Sequence, residues 1–435
     1  MTPLQIGLLG IGLVFVLIAV RMPVAYVMLV IGIAGVAHLT SINAALSISA
    51  STLYDTFASY SLIVVPLFVW MGFIAFRAGI SSRIYDAVYK LMGSVPAGLG
   101  LATIVASCAF GAICGSTTAT SATMAAIAVP EMRKYHYKDS LSASLVAASG
   151  ILGILIPPSV ILILYGIATG ESIQLLFLAG IGPGLLLTIL FMATLLIMSI
   201  MNPKLAPAGE SVSLKEKIIA LATGGVEVII IFAAVMGGLF IGVFTPTEAG
   251  AVGAFATLIV ALLRGQMTWT RFLDSLNDAI RISVMIMFLV MAATIFGRFL
   301  ALTGLPSMLA STAAGLPIPP VAVMAVILFI YLILGLFIDA LALILLTVPI
   351  FYPVALELGF DAIWFGVIIV MVVGMGVITP PVGANIYVVA GTIRDVPVVN
   401  IFRGVWPFLL AVIGCIIIMT AFPQVALFLP DLVRN

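Results

Sequence analysis

Charge is what this sequence has least of: only 8% of its 435 residues are Asp, Glu, Lys or Arg, while 64% are hydrophobic. A soluble domain carries about 25% charged residues. This mixture cannot clothe a water-soluble surface, so lipid is the expected solvent. Cysteine is scarce as well. Cys108, Cys114 and Cys415 all sit inside apolar stretches, at spacings that match no zinc or redox motif, and they read as small packing residues. The two histidines, His38 and His136, are far apart. No His-Glu zinc motif, Ser–His pair or phosphate-binding glycine loop occurs, which argues against an intramembrane enzyme and against an ATP-driven pump. No basic patch is present to hold nucleic acid, and the net charge is only +1. The start of the chain lacks the basic region that opens a signal peptide, and further apolar segments follow it.

What is present is a series of long hydrophobic runs. Ile6 to Val20, Val24 to Ala37 and Val405 to Ala421 are long enough, or nearly so, to cross a hydrocarbon core of about 30 Å as helices. The alternation of a membrane β-barrel is absent, so helices are the expected spanning form. Candidate helices lie near 4–20, 23–39, 60–77, 140–169, 181–201, 216–243, 246–263, 281–301, 361–391 and 404–428. Two further regions, 96–130 and 319–357, are too long for one span. Each is interrupted near its middle, by Gly111 to Thr118 and by Gly335 to Asp339. Both read as re-entrant hairpins, since non-helical backbone at depth is tolerated only inside protein or along a cavity. The stretches 43–56, 81–93 and 268–280 look interfacial. Ten crossings and two hairpins put every basic residue except Arg298 and Arg434 on one side. The positive-inside rule makes that side cytoplasmic, so both termini are expected to be periplasmic. The first hairpin then opens from the cytoplasm and the second from outside.

The chain also repeats itself. Gly153-Ile-Leu-Ile-Pro157-Pro158 resembles Gly376-Val-Ile-Thr-Pro380-Pro381, at an offset of 223 residues. Ser116 and Asp339 in the two hairpins keep that offset, as do Pro130 and Pro353, and Pro23 and Pro246. The two copies are expected at 1–210 and 211–435. Each crosses five times, an odd number, so one copy must be inverted relative to the other. The fold expected is an all-α polytopic membrane protein of two inverted repeats, each with a re-entrant hairpin and a broken helix (140–169 and 361–391). That is the architecture of secondary transporters. Each Pro-Pro pair removes amide donors at mid-membrane depth. The freed carbonyls suit sodium, and the half-helix N-termini suit an anion.

Taken in order, these motifs resemble one family. They are Gly115-Ser116-Thr117-Thr118, Ile154-Leu-Ile-Pro157-Pro158-Ser159, Leu176-Phe-Leu-Ala-Gly-Ile-Gly-Pro183, Phe244-Thr-Pro-Thr-Glu248-Ala-Gly, Gly335-Leu-Phe-Ile-Asp339-Ala and Ile378-Thr-Pro-Pro-Val-Gly383. The chain resembles the large membrane subunit of TRAP (tripartite ATP-independent periplasmic) transporters. The resemblance implies import of an organic acid coupled to sodium, Na+ being the coupling ion and no other cofactor being needed, by an elevator movement in the bacterial inner membrane. It also implies two partners, a small four-helix membrane subunit and a periplasmic substrate-binding protein. The chain begins at the large subunit's first helix, so a separate small subunit is expected. A stand-alone sodium–dicarboxylate symporter is the alternative, and a channel is a third reading.

The residues expected at a sodium site are Ser116, Thr117, Thr118, Gly153, Pro157, Gly335, Asp339, Thr379, Pro380 and Gly383. The hydroxyls of the first tip are hard oxygen ligands, and their alternative role is capping a helix. Asp339 is a carboxylate in an apolar hairpin, which is costly and usually functional, and it matches an acidic position near a sodium site in the family. Arg298, Ser159, Ser172 and Asn385 are the expected substrate contacts. Arg298 lies away from the cytoplasmic cluster of basic residues. It either binds an anion bidentately, as a family arginine implies, or snorkels to the outer interface. Glu227 and Glu248 are expected in structural pairs.

Overall fold

The computed structural model describes residues 1–209 and 213–434, so the expected boundary between the copies, at 210 and 211, lies outside the described residues. All the regular secondary structure of the described residues is helical, with no strand. The exterior is apolar: Met201, Ile241 and Leu263 are each more than four-fifths exposed, which only a lipid surround makes inexpensive.

The order of helices in the first half recurs in the second at the offset read from the prolines. Pro3–Ala19 is matched by Val226–Phe240, and Val24–Leu39 by Pro246–Leu263. The hairpin arms Gly98–Cys114 and Thr117–Lys134 are matched by Pro320–Gly335 and Ala340–Glu357. The first broken helix, Asp139–Ser149 and Leu152–Leu155 followed by Val160–Thr169, is matched by Ala362–Gly376 followed by Ala384–Ile393. Ile173–Met201 is matched by Val398–Ala421.

The two halves interleave. Each hairpin's second arm packs on the half-helix beyond the break in the other half: Thr117–Lys134 on Ala384–Ile393, and Ala340–Glu357 on Val160–Thr169. A second group of helices also crosses the halves, with Trp269–Thr303 against Val24–Leu39 and Pro246–Leu263 against the helix ending at Arg77. Arg77 ties this group together at its polar end, bonding Asp278 and lying 3.8 Å from Asp274.

Two expectations need correction. The segments 268–280 and 281–301 are one helix, Trp269–Thr303, because no Gly or Pro interrupts the change from charged to apolar sequence until Gly297. At 1.5 Å per residue it is about 52 Å long, longer than the bilayer core, so its charged first turns project beyond it. The matching region of the first half, Ile42–Phe57 and Ser61–Arg77, is instead bent by 58°. The segment 404–428 is two helices, because Pro423 cannot continue the first. Gln424–Arg434 turns back onto Ile173–Met201, where Gly182 lacks the Cβ that would collide with the Val425 carbonyl. Among the described residues six helices reach spanning length, counting the broken 139–169 as one, or seven with the bent pair, and the shorter apolar helices have 10–17 residues.

Candidate functional site

The first hairpin tip is built by local chemistry. Gly115 adopts φ +63°, a conformation that favours glycine. Ser116 then caps the second arm, its Oγ accepting the Ala119 N–H at 3.4 Å and lying 3.2 Å from Thr118 Oγ1. Thr120 Oγ1 donates to the Ser116 carbonyl at 2.7 Å. The tip rests on the first break. A Cβ on Gly115 would stand 2.8 Å from the Pro158 carbonyl oxygen, and one on Gly153 would stand 2.8 Å from the Ser116 oxygen. One on Gly111 would stand 2.7 Å from the Gly153 Cα. Only glycines permit this approach. Gly153→Ala is therefore expected to lift the tip from the break and cost about 1–3 kcal/mol by overpacking. The readout is the unfolding temperature of the purified protein, with Gly391→Ala, which has open space around it, as the unaffected control.

The second half repeats the arrangement loosely. A Cβ on Gly376 would stand 2.8 Å from the Gly335 carbonyl oxygen. Asp339 caps Ala340–Glu357 by accepting the Leu341 N–H at 3.0 Å. Thr379 Oγ1 donates to the Met375 carbonyl at 2.7 Å. Gly383 takes φ +54° to start the half-helix beyond the break. The Pro157–Pro158 and Pro380–Pro381 peptides are both cis. The first break is covered, with Pro157, Pro158 and Ser159 buried, whereas Thr379 and Pro380 are half-buried and Pro381 and Val382 exposed.

Both tips open on one cavity of about 800 Å³, lined by Ser116, Thr117, Thr118 and Asp339. Its other walls come from Gly72, Phe73, Phe76, Ser81 and Ser82, and from Thr392. Asp339 is exposed there, so the carboxylate faces the cavity instead of sitting in an apolar interior. The cavity brings together the hydroxyls and the acid expected from the sequence. Gly153 lies directly behind the first tip and Gly335 against Gly376 of the second break, and neither they nor Pro157, Thr379, Pro380 and Gly383 line this cavity.

Arg298 is elsewhere. It lines a second cavity of about 670 Å³ with Thr294, Ser307 and Tyr352. Ile286, on the same helix, lines the first cavity, and twelve residues of helix separate the two by about 18 Å. Tyr352 donates to Glu171 at 2.6 Å across this second cavity's wall. Three expected substrate contacts, Ser159, Ser172 and Asn385, line neither of these cavities. Ser159 is buried and caps Val160–Thr169 through Leu162 N–H, and Ser172 is exposed and caps Ile173–Met201 through Leu175 N–H. Serine before an apolar run is a helix start first. Asn385 is also fully buried, its Nδ2 donating to the Ala147 carbonyl at 3.2 Å.

The acids outside the cavity are structural. Glu248 closes a capping box with Thr245, and Glu227 accepts from Arg83 at 3.1 Å and pairs with Arg264 at 2.5 Å. At the polar end of the first hairpin, Arg133 joins Asp139 at 2.7 Å and Asp395 at 2.8 Å. The Arg133 guanidinium holds the Asp395 carboxyl below its ordinary range. The helix ending at Arg77 and the Ser81–Ser82 pair after it are cavity walls that the sequence did not single out. The glycine at 72 was the available signal, since its missing Cβ admits the Cys114 backbone at 3.1 Å.

Comparison with known proteins decides the family. The model of the tripartite ATP-independent periplasmic transporter, DctM component, matches residues 11–425. The chain belongs to this family. It is a multi-pass membrane permease component of a TRAP transporter, and not an enzyme. It is similar to the large permease protein of a C4-dicarboxylate TRAP transporter from Pseudomonas aeruginosa, at 34% identity over 88% of this chain and 89% of that one. It is equally similar to a sialic acid TRAP transporter large permease protein from Vibrio cholerae, at 34% identity over 94% and 95% of the two chains. A 2,3-diketo-L-gulonate TRAP transporter large permease protein from Escherichia coli is 32% identical over 96% and 95%. Among solved structures, the Alcanivorax borkumensis YdaH transporter superposes with a TM-score of 0.62 at 15% identity, over 87% of this chain and 89% of that one. That likeness establishes the shared fold.

Proposed function

We propose that this permease imports a small organic anion, a carboxylate or related acid, by coupling it to inward sodium flow. A periplasmic binding protein delivers the anion, and a small four-helix membrane subunit completes the complex in the bacterial inner membrane, with both termini periplasmic. The observation that carries the reading is the shared cavity: the hydroxyl tip at Ser116–Thr118 and the carboxylate of Asp339 face the same space from opposite halves. Hydroxyl, carbonyl and carboxylate oxygens suit a hard cation. The relatives named for C4-dicarboxylate, sialic acid and 2,3-diketo-L-gulonate all handle acids, which supports an anionic cargo.

Arg298 is the anion's contact in the other cavity, where its exposed guanidinium is free to take a carboxylate in a bidentate grip. The two cavities are the inner and outer vestibules of alternating access. The hairpins and broken helices form the moving body, and the helices tied by Arg77 form the scaffold of an elevator. Inversion of one half relative to the other supplies the two end states.

The test is uptake of labelled C4-dicarboxylate and labelled sialic acid into proteoliposomes holding the complex and its binding protein, with and without a sodium gradient. Uptake indifferent to sodium would sink the coupling. Arg298→Ala is expected to raise the half-saturating concentration about tenfold or more, the loss of a charge-assisted contact, at an unchanged unfolding temperature. Unchanged saturation would remove Arg298 from the path.

A further inference from the structure

We infer that Asn385 is a positioning residue that couples the two breaks, so that sodium bound at one changes the affinity of the other. This rests on the sodium-coupled reading above. Asn385 is wholly buried and lies in the second broken helix, two residues past Gly383. Its own N–H reaches back across the break to the Val377 carbonyl at 3.0 Å, so the residue is fixed to both ends of that break. Its side chain leaves this half altogether, and Nδ2 donates to the Ala147 carbonyl of the first broken helix at 3.2 Å.

That carbonyl is three residues before Gly150, where the first broken helix meets the first hairpin. A Cβ on Gly150 would lie 3.0 Å from the Thr117 carbonyl oxygen and 3.1 Å from Asn385 Nδ2, and would collide with Ser121 Oγ. Three elements from both halves therefore meet around one glycine, within a turn of the tip that caps with Ser116. Asn385 Oδ1 and Ser121 Oγ are buried without hydrogen-bond partners among the described residues. Buried polar groups left like this are costly, and they leave this junction with acceptor and donor capacity to rearrange when either break changes shape.

The link at the break is one-sided among the described residues. The residue matching Asn385 at the offset of 223 is Leu162, which is buried and apolar. At this position the polar tie therefore runs from the second break to the first; the tie in the other sense, from the Tyr165 hydroxyl to the Ala362 carbonyl at 2.7 Å, ends at the start of the second broken helix, away from its break. A buried hydrogen bond in low dielectric is a stiff connection. Shifting Val377 or Gly383 to hold an ion moves Asn385, and through Ala147 it moves the segment under Ser116. Such coupling is a free energy shared by both sites.

Sodium is titrated against the purified membrane complex in nanodiscs, with choline balancing ionic strength, and intrinsic fluorescence reports binding. The wild-type isotherm is expected to be steeper than a single-site curve. Asn385→Leu, which copies the matching residue, and Asn385→Asp, which keeps the shape but loses the amide donor, are both expected to flatten it towards a slope of about 1, with the half-saturating concentration raised on the order of tenfold. Asn385→Asp keeps the test open if Asn385→Leu misfolds. A wild-type slope retained by both variants overturns the coupling, as does a sodium-responsive wild type with a single-site curve. A wild type that ignores sodium overturns the sodium reading itself, and the coupling with it.

Discussion

Asp339→Asn is expected to abolish sodium-driven uptake while leaving the protein folded. Asp339 has two roles in the structure that the substitution separates. As a cap it accepts the Leu341 N–H at 3.0 Å, and asparagine caps helices as well as aspartate does, so stability should change by less than about 1 kcal/mol. As a negative charge facing the cavity that also holds Ser116 and Thr118, it has no substitute. The loss in sodium-dependent uptake is expected to exceed about tenfold, the scale of a charge-assisted contact removed. Uptake in proteoliposomes across a range of sodium concentrations gives the first quantity, and thermal unfolding gives the second. Wild-type sodium dependence in the asparagine variant would reduce Asp339 to a cap.

Glu227→Ala is expected to be the most destabilising single change, at about 3 kcal/mol. Glu227 is 7% exposed and holds two arginines from different parts of the chain. Arg83 stands on Ile80–Met92, which leads into the first hairpin, and Arg264 closes Pro246–Leu263. Removing the carboxylate leaves the half-buried Arg83 without that partner, and the penalty for an uncompensated charge is larger than the net worth of the pair. Gly224 sits one turn away and lets the backbone approach the Arg83 carbonyl oxygen, so repacking around a smaller side chain is restricted. Thermal unfolding in nanodiscs measures the effect, and an unchanged midpoint would show that lipid headgroups or water replace the carboxylate at no cost.

The parts of the site visible in the sequence are those whose local chemistry and place in the repeat agree. The pairs Pro157 and Pro380, Gly153 and Gly376, and Ser116 and Asp339 share one offset, and each fell where a break, a close contact or a tip stands. Ser159, Ser172 and Asn385 are expected at the substrate from the sequence and line neither cavity. Direction decides instead: two hydroxyls turn back onto their own helices, and one amide crosses to the other half. Trp269–Thr303 was divided because polarity changes along it, although polarity does not end a helix where no breaker stands.

Composition and spacing by themselves determined that this protein lives in lipid, that it is helical, and that its interruptions recur at one offset. These follow from chain-local physics: too few charges for water, backbone groups that must be satisfied internally, and prolines that cannot donate. Only the tertiary structure decided which interruptions face each other, that Ser116 and Asp339 share a cavity while Arg298 opens on another, and that Asn385 binds one broken helix to its counterpart. Those depend on how helices distant in sequence cross. Crossing is set by where glycines let backbones touch, a property of pairs of surfaces that no single segment contains.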